Sequence, residues 1–339
     1  MINFTMKTPK DVKMYLLAAM LMALLSCNGF SQENRTPTIV KTFDLNQPGT
    51  LNARSSGGGI VVRTHDQHEV IVQVFIRKNG RLLSPSDPEI DDVLEVYDLD
   101  IAKNGSVITA NVERKIRHNT WQNTGISLTI TVPGEMSCNV SSSGGGLRVS
   151  GVKGTHKLTS SGGGIDVEDI TGDTEVSSSG GGVNATNQDG DIRLSSSGGG
   201  VTLNKAHGSV YAHSSGGGVH LNDVHGDVDA GSSGGGVTVT GVTGYLKATS
   251  SGGPVRINVA GLRKELYLQS SGGGIRATLQ NGKNLGLDLD LISDRVNIDL
   301  HNFSGRVDKN TVKGTLNNGG IPVYMRSSGG NITVELEDQ

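Results

Sequence analysis

Ten times along this chain the residues Ser-Ser-Gly-Gly recur, starting at Ser55, Ser142, Ser160, Ser178, Ser196, Ser214, Ser232, Ser250, Ser270 and Ser327. From Ser142 to Ser250 every step is eighteen residues, and the next step is twenty. A fixed period of this length marks a repeat architecture, in which each unit buries its apolar face only against its neighbours. Aligning the block on its clock produces columns. The residue after each glycine triplet is Leu147, Ile165, Val183, Val201, Val219, Val237 and, after Gly-Gly-Pro, Val255. Two positions on stand Val149, Val167, Ala185, Leu203, Leu221, Val239 and Ile257, and between them Arg148, Asp166, Asn184, Thr202, His220, Thr238 and Arg256. That strict alternation is the pattern of a half-buried strand. A second alternation follows Gly154, Gly172, Gly190, Gly208, Gly226 and Gly244, with Leu158, Val176, Leu194, Ala212, Ala230 and Ala248 facing inward.

Each repeat therefore reads as strand, turn, strand, turn. Stacking the repeats as parallel strands buries both apolar faces and closes every ladder except at the two ends. Helix is excluded, because three glycines in every eighteen residues cost about 1 kcal/mol each in a helix interior. The glycines are expected where the chain reverses, since glycine takes positive φ and lets backbones approach closely. The expectation is an all-β, right-handed parallel β-helix (β-solenoid) with 18-residue two-strand coils, the hand following the rule for parallel crossovers. Coils stack ~4.8 Å apart, so residues eighteen apart become neighbours. One outward column supports this register: Lys157, Glu175, Arg193, then Tyr211, Asp229, Lys247, with charge signs alternating within each charged group.

Outside the block, residues Ile60, Val62, Val70, Val72 and Val74 predict strands, and Asp87-Pro88 opens a short helix to about Glu95. Leu285 to Leu291 and Val296 to Leu300 alternate again, and Asn331–Leu336 ends like another coil. Large side chains are scarce: aromatics make up 4% of the chain while Gly accounts for 50 of 339 residues, so the core should be thin.

The N-terminus has the form of an export signal. Lys7, Lys10 and Lys13 precede an apolar run from Met14 to Leu25, too short to span a bilayer. Two processing sites are open. Leu24-Leu25-Ser26-Cys27 resembles a lipobox, which would make Cys27 a lipid anchor, and Gly29-Phe30-Ser31 would instead place cleavage before Gln32. The expected organisation is an export signal over 1–31, a linker over 32–37 and one solenoid domain over 38–339, with the regular repeats at 142–269. Only Cys27 and Cys138 exist, so no disulfide framework is expected, and Cys138 reads as a small buried apolar residue. The formal charge of −3 with no long basic run argues against a nucleic-acid partner.

Several chemistries are weighed and set aside. The triplets are followed by strands and lack the closing Lys of a phosphate loop. They also lack the Asp ligands of calcium-binding β-rolls. Asp189, His207 and His225 share one turn column, but ligands spaced a coil apart span too far for a compact tetrahedral zinc site. His156 and Thr174 interrupt an inward column of apolar residues, which predicts a mutual hydrogen bond within the core. A regular Thr or Ser array of the ice-binding kind is absent around Thr238. No catalytic, cofactor or metal residue is assigned.

The SSGGGI at Ser55–Ile60, Val132-Pro133-Gly134, the repeated SSGGG-V/I-x-V units and the closing VKGTLNNGGIPVYMRSSGGNITVEL resemble the exported bacterial β-solenoid proteins known as putative adhesins, from about Thr38 to the end. The resemblance implies a β-solenoid domain of unknown function and carries no site residues. The expected role is a non-catalytic, adhesin-like scaffold at the cell envelope that binds a partner protein or a glycan, with membrane attachment through a lipidated Cys27 if the lipobox is used. The alternatives are a carbohydrate-active β-helix enzyme and an envelope-sensing partner of a membrane regulator.

Overall fold

The computed structural model describes residues 36–115 and 123–338; the segment expected to direct export, both candidate processing sites and Cys27 lie outside the described residues. The described residues form an all-β architecture with two fifteen-stranded sheets. Through the repeats each coil gives one strand to each sheet, as Val201–His207 and Val210–Ser214 do. Pairing is parallel and in the expected register. Val201 sits between Val183 and Val219, and Val210 between Ile192 and Val228. The aligned columns from Leu147 to Val255 and from Leu158 to Ala248 are buried and belong to one continuous hydrophobic core. Valine, isoleucine, leucine and alanine supply most of it, which suits two sheets held close by short turns.

The strand of the first sheet carries a feature that alternation alone misses. Asp169, Asn187, Lys205 and Asp223 all adopt positive φ, between 53° and 63°, with Gly151 and Gly241 in the same column. This left-handed residue adds one position to the strand, so Glu168 and Asp169 are both exposed and Ile170 turns back inward. A third inward column results: Val152, Ile170, Gln188, Ala206, Val224 and Val242, all buried.

The Ser-Ser-Gly-Gly corners differ from expectation in their physical cause. None of the triplet glycines has positive φ; that conformation falls at the opposite turn, as in Gly172 at +107° and Gly190 at +130°. The triplets are glycine because stacked corners leave no room for a side chain. A Cβ on Gly163 would lie 2.3 Å from the backbone nitrogen of Gly146. The third position is looser, with the Cβ of Gly164 at 3.0 Å from its neighbour, and it is there that Pro254 and Asn331 are accepted. The first serine of each motif is buried in all ten. From Ser142 to Ser270 its hydroxyl donates to a triplet carbonyl of the preceding coil at 2.7–2.9 Å. The same hydroxyl accepts from the backbone N–H three residues on, at 2.9–3.1 Å. Buried polar groups are thereby satisfied along the whole edge.

At the two ends the order in space departs from the order in the chain, where sequence had suggested only a loosened continuation. Ser55 pairs directly with Ser142, and Ser270 with Ser327. The long gaps in the clock are excursions. Val107–Arg114 and Thr124–Pro133 stack outside the first coil, and the antiparallel strands Tyr97–Asn104, Glu69–Lys78 and Ile39–Asp44 finish the edges. At the other end Leu287–Ile292 and Val296–Ile298 stack outside the last coil, with Thr311–Leu316 and Phe303–Val307 added antiparallel. The predicted helix forms over Glu89–Val96, its first N–H accepted by Asp87. Cys138 is buried between Leu51 and His156, and burial pushes its thiol up to about 12.

Candidate binding face

The outward face of the second sheet carries the richest side-chain chemistry among the described residues. The strands His156–Ser160, Thr174–Ser178, Ile192–Ser196, Val210–Ser214, Val228–Ser232 and Leu246–Ser250 lie side by side and turn every second residue to solvent. The charge-alternating column reads as the sequence suggested. Lys157 Nζ lies 3.1 Å from Glu175 Oε2, and Lys247 Nζ lies 2.9 Å from Asp229 Oδ2. Between them the Arg193 guanidinium sits 4.0 Å over the Tyr211 ring. Exposed pairs of this kind contribute at most about 1 kcal/mol each. At that strength they bias the long side chains toward this arrangement without fixing them.

His213 extends this row and was not singled out from sequence. Its ring stacks on Tyr211 with centroids 4.1 Å apart, and its Nε2 is 3.2 Å from Asp229 Oδ1. The ring lies over Gly231 of the next coil, where a Cβ would come within 2.5 Å of it. Burial pushes the His213 imidazole below the ordinary histidine value, against the pull of Asp229 and with help from Lys247 and Arg193. A histidine in a column of Ser and Thr, next to the one glycine of that column, was the available signal.

Beside this row runs a turn column that includes Thr155, Asp173, Asp191, Ser209, Asp227 and Tyr245. Asp191 Oδ1 accepts the Ser209 N–H at 2.8 Å, and Asp227 Oδ1 accepts the Tyr245 N–H at 2.9 Å. Each of these carboxylates thus ties its coil to the next. The Tyr245 N–H and then Lys264, whose Nζ reaches both Asp227 oxygens at 3.0 and 2.9 Å, hold the Asp227 carboxyl below the usual range. An open groove of about 620 Å³ lies between the two columns.

The sequence-derived candidates on the first sheet are also placed. Asp189, His207 and His225 are consecutive partners in the ladder. The two rings are 5.0 Å apart and tilted, and His225 Nδ1 is 3.5 Å from Asp223 Oδ1. Among the described residues no group of three or more His, Cys, Asp or Glu is arranged to hold a metal ion. The expected bond between His156 and Thr174 does not form. Thr174 Oγ1 donates instead to Gly172 O at 3.2 Å, and both ring nitrogens of buried His156 lack a partner. The two residues are register partners, but the short threonine reaches its own turn first.

Two aspartates, Asp227 and Asp166, are shifted away from the direction a general acid needs. A glycosidase acid needs a carboxyl whose affinity for its proton is raised. Asp227 is moved the other way. So is Asp166 on the opposite sheet, where burial is outweighed by bonds from Asn184 and Arg148.

Comparison with known proteins adds the following. No curated protein matches significantly. Three solved structures align over most of the chain. A "putative adhesin" from Parabacteroides merdae ATCC 43184 is 10% identical, with 87% of this chain and 95% of that one covered and a TM-score of 0.41. A second "putative adhesin", from Bacteroides fragilis NCTC 9343, is 11% identical over 87% and 96%, with a TM-score of 0.29. A "putative cell adhesion protein" from Clostridium sporogenes ATCC 15579 is 10% identical over 89% and 98%, with a TM-score of 0.19. The family model of the Toastrack domain matches residues 46–335, spanning the first coil, both excursions and the last coil, and the chain belongs to the Toastrack DUF4097 family.

Proposed function

We propose that this chain is a non-catalytic, adhesin-like scaffold exported to the cell envelope, where the outward face of its second sheet binds a partner protein or a glycan. The observation that carries the reading is the open groove between two ladders whose side chains already engage one another through ion pairs, ring contacts and bonds to backbone. Side chains biased toward one arrangement lose less conformational entropy on binding than free ones. In this reading residues 38–339 form one domain of right-handed, eighteen-residue coils. The segment before it directs export, with either Cys27 lipidated or the chain cut before Gln32. The test is a glycan array probed with purified residues 33–339, alongside capture from envelope extracts. The expected result is a saturable ligand whose binding is reduced by Tyr211→Ala. Turnover of any bound glycan would overturn the non-catalytic reading. The anchor is tested separately: Cys27→Ala should release the protein from membranes, and a mature chain beginning at Gln32 by mass spectrometry would refute lipidation.

A further inference from the structure

The groove on the second sheet is specific enough to name a ligand class. It follows the solenoid axis from Thr155 to Tyr245, six coils or five steps, a length of about 24 Å at ~4.8 Å per step. Its lining includes five carboxylates, Asp173, Glu175, Asp191, Asp227 and Asp229. The cations around them are all engaged, Lys157 with Glu175, Lys247 with Asp229, Lys264 with Asp227 and Arg193 with the Tyr211 ring, which leaves Asp173 and Asp191 without an ion pair among the described residues. An acidic ligand would therefore meet uncompensated like charge. A nucleic acid is disfavoured for the same reason.

A peptide fits the groove poorly. An extended peptide along the axis repeats its side chains every ~6.7 Å and so drifts out of step with coils ~4.8 Å apart. Strand addition needs an unpaired edge, and the strands along this face are paired on both sides. A hexose chain advances by nearly one coil spacing per ring. Its hydroxyls donate well to carboxylates, and its C–H faces pack on the electron-rich face of an aromatic ring. The groove presents carboxylates at Asp173 and Asp191 and the part-exposed ring of Tyr245 at its end. Building on the envelope-scaffold reading, we infer that this groove binds a linear hexose polymer without acidic groups, lying along the solenoid axis with about one sugar ring per coil.

The test is calorimetric titration of the full chain with neutral β-linked hexose oligomers of increasing length, and with a polyuronate as the acidic comparison. Affinity should rise with length and level off at about five or six rings, the number of coils the groove spans. Asp173→Ala and Tyr245→Ala together should weaken binding at least ten-fold with an unchanged melting curve, and Thr202→Ala on the opposite sheet should leave it intact. Tighter binding of the polyuronate, no binding of any neutral oligomer, or equal binding by the groove variant would each overturn the inference. The envelope-scaffold reading would survive those results if another ligand or partner still bound this face. Groove-dependent binding with shortening of the oligomer would do the reverse, sinking the non-catalytic reading and sustaining the groove.

Discussion

Replacing Ser196 by alanine should damage one corner of the solenoid and little else. The Ser196 hydroxyl is buried, donates to Gly181 O at 2.9 Å and accepts the Gly199 N–H at 3.1 Å. Removing it takes a partner from one backbone donor and one backbone acceptor, both on part-exposed glycines. A net hydrogen bond is worth about 1 kcal/mol, so the expected loss is about 1–2 kcal/mol. Ser197, the next residue, is exposed, and Ser197→Ala should change stability by no more than about 0.5 kcal/mol. Because coils contact mainly their nearest neighbours, the loss should be concentrated near residues 178–217. The assay is urea unfolding of both variants with hydrogen exchange followed coil by coil. Equal costs for the two substitutions, or a loss spread evenly over the chain, would refute the reasoning that the buried hydroxyl ladder holds the corners together.

Three further outcomes follow from the geometry. Gly163→Ala should destabilise far more than Gly164→Ala, since the added Cβ meets backbone at 2.3 Å in one case and 3.0 Å in the other; denaturant midpoints compare them. His156→Leu should stabilise the fold by about 1 kcal/mol by removing two unpartnered buried ring nitrogens. Burial holds the folded His156 value below the ordinary one of about 6.5, so the unfolded chain takes up more protons below that pH. Stability is lost as pH falls through that window, and His156→Leu should shallow the loss in melting curves between pH 7 and 5. Val201→Asp buries an unpaired carboxylate and should cost several kcal/mol, whereas Thr202→Asp, part-exposed between Asn184 and His220, should cost about 0.5 kcal/mol; the reverse ranking would invert the strand faces.

The parts of this fold that were legible beforehand are those governed by period. Val201, Leu203 and their counterparts eighteen residues away declared the register, because a buried face and a fixed coil length leave no other alignment. The ends were opaque for a physical reason. Nothing in the 86 residues between Ser55 and Ser142 says that the two serines are neighbours, since a coil inserted later in the chain can stack either inside or outside an earlier one. The left-handed column was hidden too. Lys205 is not a residue that advertises positive φ; its alignment with Gly151 and Gly241, and with Asp169, Asn187 and Asp223, does so. The glycine triplets were assigned to the right place with the wrong emphasis, as close approach requires them and positive φ does not. On the candidate face the Lys157–Glu175 and Asp229–Lys247 pairs were readable from column order. The groove was not, because it arises from the offset between a turn column and a strand column that a one-dimensional alignment leaves undefined.

The claim that this chain binds through the outward face of its second sheet is tested most directly by comparing two sets of surface variants on isolated cell-envelope material. One set, Tyr211→Ala and Asp229→Ala, alters the candidate face; the other, Arg148→Ala and Arg256→Ala, alters the outward column of the first sheet. The measurement is equilibrium binding of the purified chain, with melting curves confirming that each variant is folded. The account predicts at least a ten-fold weakening for the first set and no change for the second. Weakening confined to the first-sheet variants, with Tyr211→Ala and Asp229→Ala binding as the parent does, would contradict it.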